Sequence, residues 1–244
     1  MIHHVTYSDR RMNISAMRCS NSAYECGCDT SQIYTPEDIS RRFFKMNEDV
    51  LSQPRGAGYW LWKPYIIYEK LMNTHIDDVV FYTDAGVEMV NDIKHIIDFV
   101  GECLLFGNHY FHEHWCKGNV TDAIVGERSL GYGDGSPMYQ IQASAMLFRN
   151  SIWTRNFVKK WLLWSQMPGF IDDSPGYHNH EEFKEHRHDQ AILTCLAVKE
   201  RIQLHWWPAM YNDGAFHYEK GVYYDKYPIM FHHHRKRNEE WKQG

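Results

Sequence analysis

The chain has 244 residues, 43% apolar and 23% charged, an ordinary globular composition with enough length to bury a core without cross-links. Acidic residues outnumber basic ones, 31 to 26, for a net charge of −5, which argues against a general nucleic-acid binder. No run nears the ~18 apolar residues of a membrane span, and the N-terminal residues lack a signal peptide's apolar core.

Residues Ile2 to Tyr7 read as a first strand. Thr35 caps a helix with Pro36 in its first position and Glu37 and Asp38 in its first turn, and Ile39, Phe43, Met46 and Val50 follow at helical spacing. Lys63-Pro64 opens a second helix with Ile67, Leu71 and Met72 on its apolar face. Residues 78–83 form a short strand that stops at Asp84-Ala85-Gly86. Asn91 caps a third helix, with Ile93, Ile96, Ile97 and Val100 turned inward.

Residues 103–107 and 143–148 are further strands. Residues 126–137, rich in glycine, form a loop able to close as a lid. Ser151 caps a long helix carrying Trp153, Phe157 and Trp161. Residues 168–180 are loop, 181–200 helical, and 203–207 a last strand. Strands alternating with helices and no composition break predict one α/β domain over residues 1–244, with a central, mostly parallel mixed sheet flanked by helices.

Nine Trp, 16 Tyr and 12 Phe make the chain 15% aromatic, and there are 16 His. That surplus suits stacking on sugars or bases; an aromatic-rich core is the plain alternative. Six cysteines without a CxxC pair point to free thiols in a reducing, cytoplasmic setting. Cys19, Cys26 and Cys28 with a distant His are an alternative zinc set.

Ligands of open α/β sheets bind beyond the carboxyl ends of strands. Asp84 stands at such an end, where a carboxylate can hold a divalent cation that neutralises a diphosphate. Capping its own turn is the plain alternative. Just upstream, Arg55 to Tyr65 gathers two cations, two glycines and four aromatics at a helix start, suited to phosphate.

Gly58-Tyr-Trp-Leu-Trp-Lys-Pro-Tyr65, the run Tyr82-Thr-Asp-Ala-Gly86 and His186-Arg-His-Asp-Gln190 resemble a group of GT-A-fold nucleotide-sugar glycosyltransferases from polysaccharide-synthesis loci and large viruses. Trp115-x-Lys117, Gln142-Ala-Ser144 and His232-His-His-Arg235 extend the resemblance over nearly the whole chain. It implies a GT-A-like domain that moves a sugar from a nucleotide-diphosphate donor, a UDP-sugar favoured, to a hydroxyl of a glycan or glycoprotein. Mn²⁺ or Mg²⁺ would sit on Asp84. Gly86 stands where such enzymes often carry a second Asp, and His232 and His234 would supply the missing ligands.

Asp189 would be the catalytic residue, as general base or as a stabiliser of positive charge at the anomeric carbon, with Gln190 facing the sugar. Tyr7 would stack on the base, Arg18, Arg55 and Lys63 would meet phosphate, and Tyr59, Trp60, Ala85 and Gly86 would complete the donor site. Trp115, Lys117 and His188 would meet the acceptor. The alternative is a noncatalytic nucleotide- or glycan-binding module on the same scaffold.

Overall fold

The computed structural model describes residues 1–126, 138–211 and 227–241. In chain order it contains β1 (Ile2–Tyr7), α1 (Asn13–Glu25), β2 (Thr30–Tyr34), a 3-10 turn (Pro36–Asp38), α2 (Arg41–Met46), α3 (Glu48–Leu51), α4 (Gly56–Tyr59, a single turn) and α5 (Trp62–Met72). Next come β3 (Val79–Thr83), β4 (Val87–Met89), α6 (Lys94–Ile97), β5 (Cys103–Phe111), α7 (Gly118–Val125), β6 (Tyr139–Arg149) and α8 (Ile152–Ser165). The last elements are α9 (His188–Lys199), β7 (His205–Trp206), β8 (Ala209–Tyr211), β9 (Phe231–His233) and α10 (Asn238–Trp241).

The main sheet has the order β2-β1-β3-β6-β5-β7. Only β6 runs against the others, pairing antiparallel with both β3 and β5. A second, three-stranded sheet, β4-β9-β8, stands beside it. The expected α/β layering is therefore present. Strand β3, Val-Val-Phe-Tyr-Thr, is buried at every position, as a strand covered on both faces must be. Its side chains alternate between two cores: Val80 and Tyr82 join the one under α5, α8 and α9, while Val79 and Phe81 join the one with β4 and β9.

Strand β6 breaks this alternation. Ile141 and Ala143 face the first core, but Ala145 and Leu147 face the second. The irregular pairing with β5, where Leu105 opposes Met146 but Gly107 opposes Ile141, lies at the same place. The kink presents two carbonyls of β6 to incoming groups. The oxygen of Ala143 accepts from Lys63 Nζ at 3.1 Å, and that of Ser144 accepts from the Asp84 amide at 2.9 Å.

Several expected elements differ. The helix foreseen from Thr35 is three short pieces: Ile39 is extended, Ser40 caps α2 by accepting from the Phe43 amide at 3.2 Å, and Asn47 turns the chain again. The third helix shrinks to α6; Asn91 is not its cap but donates to the Ile229 carbonyl at 2.7 Å. Met72 is exposed rather than on an apolar face. Residues 181–187 are loop, because the Lys184 and Arg187 amides donate to His114 and Trp115 carbonyls instead of to a helix. Ser151 does cap α8, accepting from the Thr154 amide at 3.0 Å. The proposed lid, residues 126–137, lies outside the described residues except for Gly126.

Candidate active site

A cavity of about 770 Å³ opens at the carboxyl-terminal edge of β1, β3 and β5, where open α/β sheets bind ligands. Its floor is an acid–base–acid row. Lys63 Nζ, from the first turn of α5, lies 3.2 Å from Asp84 Oδ1 and 3.1 Å from Asp189 Oδ2. The ammonium is almost fully buried, as is Asp189, while 31% of the Asp84 side chain is exposed to the cavity. The Tyr82 hydroxyl donates to Asp84 Oδ1 at 2.5 Å; Oδ2 has no hydrogen bond among the described residues.

The three groups set one another's charge. Burial opposes the Lys63 cation, but the two carboxylates overcome it and hold its pKa above the ordinary value. Burial also opposes the Asp84 anion, yet Lys63, the Tyr82 hydroxyl and His233 keep its pKa below the usual carboxylate range. For Asp189 burial wins: with Asp84 adding to it and Lys63 resisting, the pKa rises to about 6. Two carboxylates on one cation are thereby pushed apart, a pattern associated with acid–base work.

The wall above Lys63 is strained backbone. Five consecutive residues lie in the left-handed region: Gly56, Ala57, Gly58, Tyr59 and Trp60, with φ of 58°, 51°, 99°, 51° and 60°. For the three that are not glycine this costs about 1–2 kcal/mol each. The turn is held by the Tyr59 amide donating to the Arg55 carbonyl at 2.7 Å and Trp62 Nε1 donating to the Gly56 carbonyl at 2.9 Å. A Cβ on Gly56 would meet the Trp60 ring at 2.4 Å, and one on Gly58 the Leu51 Cα at 2.7 Å. Strain of this kind collects where a site must be pre-shaped.

The turn also fixes His188, itself left-handed at φ 50°. Its ring packs against Tyr59 and Trp60, centroids 5.1 and 5.2 Å apart, and its Nδ1–H donates to the Ile171 carbonyl at 2.7 Å. Burial lowers its pKa to about 4, so at neutral pH Nε2 is a bare acceptor, without a hydrogen bond. Trp60 and His188 line the cavity; Tyr59 supports them from behind.

Gly86 explains why no second acid stands after Asp84. A Cβ there would lie 2.8 Å from the Arg235 Cα, because the Gly86 carbonyl accepts from the His234 and Arg235 amides as the chain leaves β9. Strand alternation then decides which histidine faces the site. It is His233, whose ring lines the cavity and accepts from Arg235 Nε at 3.1 Å. His232 and His234, expected as metal ligands with Asp84, point the other way: His234 Nε2 is 3.4 Å from Glu88, and the two rings pack edge-on. The described donors that fit a cation here are the open oxygen of Asp84 and His233 Nε2, the nitrogen that accepts from Arg235; Nδ1 carries the ring proton and is buried without a hydrogen bond.

Other expected residues divide. Arg55, Lys63, Ala85, Gly86, Trp115 and Gln190 line the cavity, as does Tyr7, one face of which is stacked on Trp62 at 3.8 Å. Arg18 lies outside it, bonded to Glu88 at 2.6 Å with its guanidinium over Trp241. Lys117 is also outside: its ammonium donates to the Gly169 carbonyl, Asp172 and Ser174 and ties down the 169–174 loop. Cavity residues unforeseen from the sequence include Arg11, Arg187, Arg235, Arg237 and Gln140. The Arg187 guanidinium lies 4.3 Å from the Trp115 ring centre, and Gln190 donates to Gln140 Oε1 at 2.9 Å. The basic run after His234 was a legible signal for Arg235 and Arg237, and Arg187 stands inside the His186–Gln190 motif; Arg11 is brought in by the fold alone.

No protein-family profile matches the sequence, and neither does any curated protein. Among solved structures, the chain is similar to apo mouse xyloside xylosyltransferase 1, with a TM-score of 0.48, 9% identity and coverage of 96% of this chain and 97% of that one. It is also similar to the galactosyltransferase LgtC in complex with donor and acceptor sugar analogues, with a TM-score of 0.49, 16% identity and coverage of 96% and 87%. Likeness at this level describes an outline and assigns no activity.

Proposed function

We propose that the protein is a glycosyltransferase of GT-A-like design that moves a sugar from a nucleotide diphosphate, a UDP-sugar favoured, to a hydroxyl of a glycan or glycoprotein. The observation that carries this reading is the Asp84–Lys63–Asp189 row on the floor of a cavity walled by aromatic rings and arginines. The aromatic wall suits sugar and base faces. Arg55, Arg187 and Arg235 suit the diphosphate, whose charge grows as it leaves. Mn²⁺ or Mg²⁺ held by Asp84, and by His233 once Arg235 leaves it for the diphosphate, would add Lewis-acid charge to that leaving group. The six cysteines are all free thiols, which favours a cytoplasmic setting.

In the reaction the acceptor oxygen bonds to the anomeric carbon as the bond from that carbon to the diphosphate oxygen breaks, and the diphosphate keeps the electron pair. The acceptor proton goes to Asp189, whose pKa of about 6 leaves it mostly ionised at pH 7 yet basic enough to receive it. In a course with retained configuration the same carboxylate would face the anomeric carbon. Lys63 does not transfer a proton; it holds both acids in place.

A panel of nucleotide sugars with Mn²⁺ should raise the melting temperature, and Asp84→Ala should abolish the rise. No shift with any nucleotide at millimolar concentration would contradict the reading. The smaller reading, a noncatalytic binder, would keep the shift and release no free sugar.

A further inference from the structure

Behind Gln140, outside the cavity just described, lies a buried thiol–imidazole cluster. His112, Cys116 and Cys195 are each at most 1% exposed, and their Nε2 and two Sγ atoms all lie within 4.8 Å of one another. The sulfurs are 3.9 Å apart, and His112 Nε2 is 3.2 Å from the Cys195 sulfur. The Thr121 hydroxyl stands over the same three atoms, 3.4 Å from Cys116 Sγ, 3.8 Å from Cys195 Sγ and 3.5 Å from His112 Nε2. A tetrahedral zinc ion with ordinary bond lengths requires about 3.8 Å between two sulfurs and about 3.5 Å between sulfur and nitrogen.

We propose that His112, Cys116 and Cys195 form a zinc site, with the Thr121 hydroxyl or a solvent molecule in the fourth position. A cavity of about 300 Å³ lined by His112, Cys116 and Thr121 gives the ion and solvent a way in. Two thiolates and an imidazole favour zinc over the hard cations suited to Asp84, so the two sites differ in kind. Binding releases both thiol protons to solvent. The expected set of Cys19, Cys26 and Cys28 gains no support: the Cys19 sulfur is 3.0 Å from the Thr83 hydroxyl, and those three form no such group among the described residues.

The surroundings are those of a supported metal ligand set. His112 Nδ1 faces the Gln140 amide at 2.9 Å; with that amide turned over, its oxygen accepts Nδ1–H and leaves Nε2 bare for zinc. Gln190 turned likewise preserves the 2.9 Å link to Gln140. His186 Nδ1 accepts from the Lys117 amide at 3.3 Å, and its Nε2–H is buried without a hydrogen bond, a donor left for the Cys116 sulfur once that is a thiolate. Cys195 lies on α9, which begins at His188-Asp189, and Cys116 follows Trp115. Zinc would therefore fasten the 112–117 segment to the helix that carries Asp189, whatever reaction the cavity performs.

The test uses the full chain, produced with zinc and dialysed, then exchanged with Co²⁺. The expected result is one zinc per chain and a cobalt spectrum with intense tetrahedral bands and thiolate-to-metal charge transfer. Cys195→Ser should remove most of the charge transfer, Cys28→Ser should leave it intact, and His186→Gln should weaken zinc retention roughly 10- to 100-fold. If the cysteine variants do not fold, displacement of the wild-type cobalt spectrum by stoichiometric zinc carries the test. A zinc-free chain that shows no charge transfer with Co²⁺ would overturn the proposal. So would charge transfer that survives in both Cys116→Ser and Cys195→Ser, or a freshly isolated chain with those two cysteines joined as a disulfide.

Discussion

Lys63 governs the site at the scale of single residues. A buried ammonium between two carboxylates is stable only because both are present, and each carboxylate depends on it in turn. Lys63→Met should cost about 3–5 kcal/mol of folding stability, because it leaves Asp189 buried without its counter-charge; denaturant unfolding would measure this, and a loss below 1 kcal/mol would contradict the row as described. Asp189→Asn removes the proposed proton acceptor with little change of shape. It should lower turnover by roughly 10²–10⁴-fold while leaving the donor-induced melting shift within a few degrees of wild type.

At the scale of elements, Gly86 allows a close approach that sets the cavity's shape. Gly86→Ala would press against the Arg235 backbone at 2.8 Å and push β9 from β4. The expected cost is about 1–3 kcal/mol, together with weaker donor binding, because His233 and Arg235 move with the strand. Crystallography of the variant, or its melting curve with and without donor, checks this; an unshifted β9 with unchanged stability would contradict it.

The elements also show where sequence could and could not speak. Strand β3 was legible because a nearly continuous apolar run stops at turn residues, β1 because Ile2, Val5 and Tyr7 mark a β-rich run ahead of a polar turn, and α8 because Ser151 precedes a strong helical period. Helix α1 was not: its buried face is Ser15, Ala16, Cys19, Ser20, Ser22 and Ala23, small residues that carry no hydrophobic period. Asp84, Lys63 and Asp189 could be picked out one by one, but their meeting depends on α5, β3 and α9 converging from distant parts of the chain. The choice of His233 over its neighbours depends on strand phase within a three-residue strand, too short to read as alternation.

For the whole molecule, the buried histidines set the response to acid. Burial, more than any other cause, lowers the pKa of His4 and His233 to about 3 and of His188 and His234 to about 4. The unfolded imidazoles titrate near 6.5. Below that value the unfolded chain binds more protons, so stability is complete above pH 6.5 and falls by roughly 1 kcal/mol per imidazole per pH unit on acidification. Asp189 acts in the opposite sense: its raised pKa contributes stability at low pH that is lost as pH rises through about 6. Four imidazoles outweigh one carboxyl, so denaturant midpoints should rise from pH 5 to pH 7. A flat or falling profile would show that these rings are not buried and neutral.

The most direct measurement is release of free nucleotide diphosphate from a panel of sugar nucleotides, for wild type and Asp189→Asn side by side, with donor binding followed in the same samples. The wild type should cleave at least one donor slowly even without acceptor, and Asp189→Asn should bind that donor and leave it whole. Cleavage at the wild-type rate by Asp189→Asn, or donor binding by the wild type with no cleavage of any sugar nucleotide, would contradict the assignment of Asp189 and its Lys63-centred row as the seat of glycosyl transfer.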